Sequence, residues 1–488
     1  MNFDIATSEP AQLAAFLQDN EALVVMNGVS AKHGFFDSYF HGKISTSLCF
    51  DHHYLKVWVG FLDAAGKKPF FYVNWTSEGN HVLERRWLFR EVASRLKTFF
   101  STKKLAVYLT KTAKTAELVM AEDLYFAHMG PMGDANELDS YRVLCERGFD
   151  TAVNDEFRSV RLNRLAEFRR WVNENPDEMT SLEMGRRLEA FARKNGCGFE
   201  EFDVPRLKSE RMNLLLAVGQ ASDRSPSRLF ILTHNYQKGS SEKPLVLIGK
   251  GITFDTGGLN VKTHEIFINA MKNDMGGAAL MAQTFMALVE TGYDKPVILV
   301  IPACENLIDK NSVKPGAVIT SRAGKKVFIE HTDAEGRLIL ADALAYSGEH
   351  FDPKLTIIAA TLTGASLRQF SHYFSGVHFA NAEWQKRIAD AGDGWGERFS
   401  FWQEFLPFAF GNKTKAAELT NMGRLPADGN IGGGSNVAAH FLKEFAKSPL
   451  IHMDIFCSTW NWGKDYPGVG FGATGAPFNT LFNALRSQ

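Results

Sequence analysis

From Leu229 onward the chain alternates short apolar runs with segments of helical length, and this alternation limits its fold more than any other feature. Leu229–Leu232, Pro244–Ile248, Pro296–Ile301, Val327–Ile329 and Leu355–Ala359 each have the length of a strand and lack a clear polar face. A strand that is apolar on both sides needs cover on both sides, so helices must flank a central sheet. Met275–Glu290, closed by Gly292, and Leu338–His350 are the helical segments that supply it. The predicted class is α/β, with a central mixed sheet covered by helices in residues 196–488.

At 488 residues the chain is long enough for two or three domains. Residues 1–155 mix short β-rich runs, Tyr54–Gly60 and Lys104–Thr110, with a helical stretch, Leu83–Phe99. They predict a smaller N-terminal α/β domain and contain no constellation that carries chemistry. Residues 156–195 read as a helical connector. Val160, Leu165, Phe168 and Val172 recur at helical spacing, opposite a face bearing Arg161, Arg164 and Arg169, until Asn175–Pro176 stops the helix. Thr180 and Glu183 then form a capping box for a second helix running to about Asn195, with Gly196 as its stop.

Fifty-four Lys and Arg against 55 Asp and Glu give a net charge of -1, which supports neither a nucleic-acid partner nor a solvating acidic tail. A small-molecule partner is expected. The five cysteines, Cys49, Cys145, Cys197, Cys304 and Cys457, are scattered and form no CxxC pair, so neither a disulfide framework nor a thiolate zinc site is expected. With no basic, apolar leader and no run long enough to span a bilayer, a reducing cytoplasm is the expected location and no membrane partner is implied.

Two polar clusters interrupt the apolar pattern. One runs Gly249-Lys-Gly-Ile-Thr-Phe-Asp-Thr-Gly-Gly258 on to Lys262, followed by Met271-Lys-Asn-Asp-Met-Gly-Gly277 at the mouth of a helix; the other is His331-Thr-Asp-Ala-Glu-Gly-Arg-Leu338. Together they offer four carboxylates (Asp255, Asp274, Asp333, Glu335), two lysines and an arginine beside strand ends, where α/β proteins bind ligands. Clustered carboxylates repel, and hard divalent cations relieve them; two such ions make a hydrolytic device. Residue types alone leave a plainer reading open. Lys250 could be a solvated turn lysine, Asp255 a turn former, Asp333 or Glu335 a helix cap, and Arg337 the partner of a neighbouring acid. A phosphate loop is excluded because GxxxxGK[ST] is absent.

The strings GKGITFDTGG, MKNDMGGAA and HTDAEGRLILADAL resemble, in order and spacing, the three active-site segments of the leucyl aminopeptidase family. NIGGGSNVAAHFLKEF and HMDIFCSTWNW resemble its later segments, so the likeness extends from about Met212 to the end. It implies an aminopeptidase with two divalent metals per subunit, Zn²⁺ or Mn²⁺ and also Mg²⁺, held by Lys250, Asp255, Asp274, Asp333 and Glu335. It further implies that Lys262 touches the substrate, that Asp274 lies near its α-amine, and that Arg337 holds a bicarbonate acting as base. Met271, Thr361, Leu362 and Gly364 would shape the first side-chain pocket, with Met271 equally readable as core filling. A homohexamer acting on small peptides is the implied assembly. A Cys-Gly dipeptidase and a non-catalytic structural or DNA-binding homologue are the alternatives.

The chain departs from the family where His331 stands in place of a common Asn and Thr263 in place of a common Pro. His331 reads either as a group orienting Asp333 or as a core histidine bonded to backbone.

Overall fold

The computed structural model describes seven N-terminal strands and then residues 157–393, 395, 397–404, 412–423, 433–462 and 472–486. Two compact units separate, one built mainly from residues 1–162 and the other from 163 onward with short exchanges. In the first, β1 (Phe3–Ser8), β2 (Ala22–Asn27), β3 (Ser47–Asp51), β4 (Leu55–Phe61), β5 (Pro69–Trp75), β6 (Lys104–Leu109) and β7 (Ser140–Glu146) form one sheet in the order β1-β7-β6-β2-β5-β4-β3. Both runs predicted as strands, Tyr54–Gly60 and Lys104–Thr110, coincide with β4 and β6. The helical stretch Leu83–Phe99 lies outside the described residues, as do the side chains of Cys49 and Cys145.

Two helices follow, α1 (Arg158–Asn173) and α2 (Ser181–Asn195). Thr180 Oγ1 accepts the Glu183 backbone N–H at 3.2 Å, and Gly196 ends α2 in the left-handed region at φ 66°. The arginine face of α1 is not a solvent face. Arg161 is fully buried with its guanidinium 4.1 Å from the Trp395 ring centroid, Arg164 forks onto Glu290, and Arg169 donates to the Ala473 carbonyl. Helical periodicity finds the apolar stripe but cannot see partners that arrive from 120 or 300 residues away. Both helices from the predicted connector reach the second unit, where α2 lies across β8 (Gly198–Phe202) and β9 (Arg228–His234).

The second unit is organised around a nine-stranded mixed sheet. With β10 (Leu245–Gly249), β11 (Gly251–Asp255), β12 (Val297–Asn306), β15 (Leu355–Ala360), β16 (Phe374–His378), β17 (Arg398–Trp402) and β19 (Leu450–Asp454), its order is β17-β16-β19-β15-β10-β12-β9-β8, and β11 adds beside β12. The centre is parallel: β10 pairs in register with β12 and β15, and β15 with β19, so their carboxyl ends lie along one edge. Every residue of β10, β12 and β15 is buried, as doubly apolar strands require. Val246, Ile248, Ile298, Val300 and Ile358 enter one core with the helices α3 (Asn213–Gly219), α6 (Gly336–His350) and α8 (Gly434–Lys443). Asp342 of α6, fully buried, ties this layer by accepting the Leu214 and Leu215 amides that open α3. Val327–Ile329 proves to belong elsewhere: β14 (Lys326–Phe328) sits between β13 (Val318–Thr320) and β18 (Leu419–Thr420) in a separate three-stranded sheet. An apolar run shows a strand but not which sheet will take it.

On the opposite face, α5 (Gly276–Glu290) approaches β10 and β15 more closely than side chains allow. A Cβ built on Gly277 would stand 2.2 Å from the Ala359 carbonyl oxygen, and one on Gly249 would stand 2.5 Å from Ala278 Cα. This contact presses the turn before α5 onto the carboxyl ends of the strands. Gly277→Ala is therefore expected to destabilise the protein by about 1–3 kcal/mol through forced backbone displacement. Chemical denaturation would measure it, and a variant as stable as the parent would show that the helix can retreat freely.

Candidate active site

At that edge, three chain turns converge. The first lies between β10 and β11, where Lys250 is 2% exposed. Its Nζ lies 2.8 Å from Asp274 Oδ1, Glu335 Oε1 and the Thr361 carbonyl oxygen, so one ammonium joins three distant segments. A Cβ on Gly336 would lie 2.7 Å from that nitrogen, which is why α6 can begin beside it. The solvated turn lysine that local sequence allows is not what forms.

Asp255 ends β11. Its Oδ1 accepts from the Gly257 N–H and from Asn306 Nδ2, both at 2.8 Å, while Oδ2 lies 2.8 Å from Lys262 Nζ. The turn beyond it requires positive φ at Gly257 (89°), where a Cβ would also meet the Asn260 carbonyl oxygen at 2.5 Å. Asn260 and Thr332 exchange hydrogen bonds that lace this turn to the 331–335 loop, and Asn306 Nδ2 also donates to the Thr332 carbonyl. Lys262 additionally donates to Asp333. Glu335 immediately precedes α6 as its N-cap residue, but its side chain makes no capping bond; its carboxylate pairs with Lys250.

Asp274 comes from a short 3-10 turn, Met271–Met275, that α4 (Glu265–Ala270) feeds and α5 continues. Oδ1 accepts from Lys250 and from Thr361 Oγ1, whereas Oδ2 is buried with no hydrogen-bond partner among the described residues. A buried acceptor without a hydrogen-bond partner, set in an acidic cluster, fits a cation ligand in chemical terms. Ligand oxygens of Asp255, Asp333 and Glu335 also lie within 4.8 Å of one another. Oxygen donors at this spacing fit hard or borderline divalent ions.

Electrostatics follow from four carboxylates sharing two ammonium groups. Burial alone would pull the Lys250 and Lys262 ammoniums below their usual range, but the surrounding carboxylates, Asp274 foremost for Lys250 and Asp255 for Lys262, raise both instead. Burial pushes Asp333 up to about 7, with Asp255 adding repulsion, and pushes Asp274 well above the carboxylate range against the pull of Lys250. Glu335 goes down to about 2 because Lys250 and Lys262 outweigh its burial. Arg337, buried in the first turn of α6, is brought down to about 10 by desolvation, opposed by Glu335 and Asp454; its Nε has no hydrogen-bond partner among the described residues.

A cavity of about 680 Å³ opens over the cluster. Of the residues named from sequence, Lys250, Asp255, Lys262, Met271, Asp274, Asp333, Glu335, Thr361, Leu362 and Gly364 line it, while Arg337 is buried and is not among the lining residues. Met271 is at once buried and part of the lining. His331 lines the cavity too, and its Nδ1 accepts the Asp333 backbone N–H at 3.2 Å, so the backbone bond and the link to Asp333 are one contact. Thr263 is an exposed part of the rim.

Sequence reasoning passed over Asn260, Asn306, Thr332 and, above all, Asp454. Fully buried at the end of β19, Asp454 accepts from the Leu362 and Phe456 amides and from the Thr363 and Ser435 hydroxyls, and so holds the 361–364 loop in place. The polar endings of otherwise apolar strands, Glu305-Asn306 and Asp454, were the signal available. Among the described residues Cys197, Cys304 and Cys457 are free, and no helix is long and apolar enough to cross a membrane.

Fold and site together define an α/β protein that gathers a cluster of buried carboxylates and lysines at the carboxyl edge of its sheet. The chain belongs to the cytosol aminopeptidase family: residues 166–482 match the family's catalytic domain. It is 38% identical over 281 residues to a probable cytosol aminopeptidase of Chromobacterium violaceum, covering 57% of this chain and 51% of that one. Its identity to the corresponding protein of Methylobacillus flagellatus is 36% over 319 residues, or 64% of this chain and 60% of the other. The chain thus matches between half and three-fifths of these relatives' lengths. The bottromycin maturation enzyme BotP, solved in complex with Mn, shares the fold with a TM-score of 0.76 at 22% identity, over 96% of this chain and 99% of that one.

The role of Asp454 can be tested without assuming a reaction. Asp454→Asn replaces an acceptor with an amide beside two hydroxyls, which is expected to cost about 1–3 kcal/mol and to speed hydrogen exchange at Leu362 and Phe456. Unchanged protection at those amides would mean that something else holds the loop.

Proposed function

We propose that the chain is a metal-dependent aminopeptidase that removes the N-terminal residue, preferably Leu or another apolar residue, from small peptides. The observation carrying this reading is a carboxylate cluster with an orphaned buried acceptor, Asp274 Oδ2, set in a cavity whose wall is partly apolar. Membership of the cytosol aminopeptidase family supports it. Two divalent cations, Zn²⁺ or Mn²⁺ and also Mg²⁺, held by Lys250, Asp255, Asp274, Asp333 and Glu335, would supply an acidified water and polarise the scissile carbonyl, with a bicarbonate at Arg337 as base.

The chain's own groups divide the remaining work. Asp274 would receive the peptide's α-amino end. Lys262, nearer the mouth and 16% exposed in its side chain, keeps its proton and donates to the carbonyl oxygen as negative charge develops there. Lys250 would serve as a neutral amine, since cations beside Asp274 and Glu335 cancel the field that otherwise holds its proton. Arg337 offers an unengaged, buried Nε–H to a planar oxyanion. Met271, Thr361, Leu362 and Gly364 form the side-chain pocket, and a methylene there discriminates by only about 1–3 kcal/mol, so specificity among apolar residues is broad. A cytoplasmic location and assembly as a homohexamer complete the reading; light scattering that gave the mass of a monomer, 54.4 kDa, would contradict the assembly.

The two lysines provide the decisive experiment. Lys250→Arg cannot present a neutral amine and should lower bound metal measured by mass spectrometry. Lys262→Met should retain both ions while kcat falls about 10²-fold or more. Prolonged chelation should abolish hydrolysis of Leu-Gly and Leu-p-nitroanilide, with Mn²⁺ or Zn²⁺ restoring it. Full activity in protein shown to be metal-free would sink the mechanism, and metal loss confined to Lys262→Met would reverse the lysine roles.

A further inference from the structure

Charges lining the cavity are almost all engaged with one another. Lys250 and Lys262 are held by Asp255, Asp274, Asp333 and Glu335. Arg368 is the exception: it lines the same cavity, is exposed, and has neither an ion pair nor a hydrogen bond among the described residues.

Its position is set by the loop that forms part of the cation site. Thr361 is tied to Lys250 and Asp274, and the chain turns there into α7 (Gly364–Phe370). Gly364, Leu367 and Arg368 are the residues of α7 that line the cavity, at the i, i+3, i+4 spacing of a single helix face. Arg368 therefore stands about 6 Å further along that wall than Gly364, given a rise of about 1.5 Å per residue. Between the two lies Leu367, so the wall passes from small, to apolar, to cationic.

We propose that Arg368 forms a carboxylate-binding subsite within the substrate cavity, so that the protein selects peptides bearing an anionic group at that distance from the N-terminus. The inference rests on the aminopeptidase reading and adds a substrate class to it. A guanidinium fork matches a carboxylate in shape and charge, and an unengaged one in a cavity loses little by meeting it. The carboxylate has two sources: the side chain of an acidic first residue, or the free C-terminus of a dipeptide or tripeptide, since each extended residue adds about 3.3–3.6 Å. Because Arg368 is exposed, the preference should weaken as salt rises.

Matched pairs separate these sources. Glu- against Gln-p-nitroanilide reports on the first side chain, and Leu-Gly against Leu-Gly-amide reports on the free C-terminus. At low salt one pair should show about a five- to ten-fold preference in kcat/KM for the anionic member. Arg368→Gln should bring that ratio to about one, and Arg368→Lys should retain part of it. Each ratio is taken within a single variant, so a general loss of activity does not disturb it. The same ratios read by equilibrium binding of uncleavable N-methylated analogues do not need turnover, so a protein that hydrolyses nothing fails the aminopeptidase reading and still tests this one. Equal handling of both pairs by the parent, or a preference that survives Arg368→Gln, overturns the proposal.

Discussion

One buried ammonium underlies the geometry of the site. Lys250 Nζ meets Asp274, Glu335 and the Thr361 carbonyl at 2.8 Å each, and these partners come from the turn before α5, the start of α6 and the loop after β15. Burying that charge is unfavourable unless its surroundings are acidic, and burying those acids is unfavourable unless something cationic lies among them. Each half of the arrangement makes the other tolerable. The segments are thereby locked at one point, beyond the ends of the parallel strands.

That lock depends on the absence of side chains around it. Gly336 leaves room for the lysine, Gly277 lets α5 touch the backbone of β15, and Gly257 takes the positive φ that returns the chain toward Asn260. Thr332, Asn260 and Asn306 then hold the two loops together by hydrogen bonds rather than by apolar contact. A site assembled this way has its acids fixed before any ligand arrives. Preorganisation of that kind favours cations over water, because the carboxylates need not be gathered at the moment of binding.

The internal cations also explain why four carboxylates can coexist without denaturing the edge of the sheet. Glu335 stays ionised, while burial holds Asp333 and Asp274 above the ordinary range. Four carboxylates share only two ammonium groups, and Asp274 Oδ2 is the oxygen that has no hydrogen-bond partner among the described residues. Behind it Asp454 and Arg337 form a second buried layer of opposite charges, so the 361–364 loop is held between two polar systems.

Much of this was readable from residues alone. Doubly apolar runs required a covered sheet, and β10, β12 and β15 are buried throughout. The N-cap at Thr180 and the stop at Gly196 are local devices and form as read, but the reciprocal half of the capping box does not, because the Glu183 carboxylate is taken by Arg186 and Arg187. Residue types alone left Lys250, Asp255, Lys262, Asp274, Asp333 and Glu335 open to plainer readings, and it was the resemblance of their three segments, in order and spacing, to those of the leucyl aminopeptidase family that grouped them as a set. Sequence could not place β14 in a separate sheet, bury the arginines of α1, or say that Lys250 is surrounded by acids. Nor could it single out Asp454 or show that Arg368 has no ion pair or hydrogen bond among the described residues. Those outcomes are decided by contacts between segments up to 300 residues apart, and the pairing energies that choose among such contacts exist only once the sheet has brought them together.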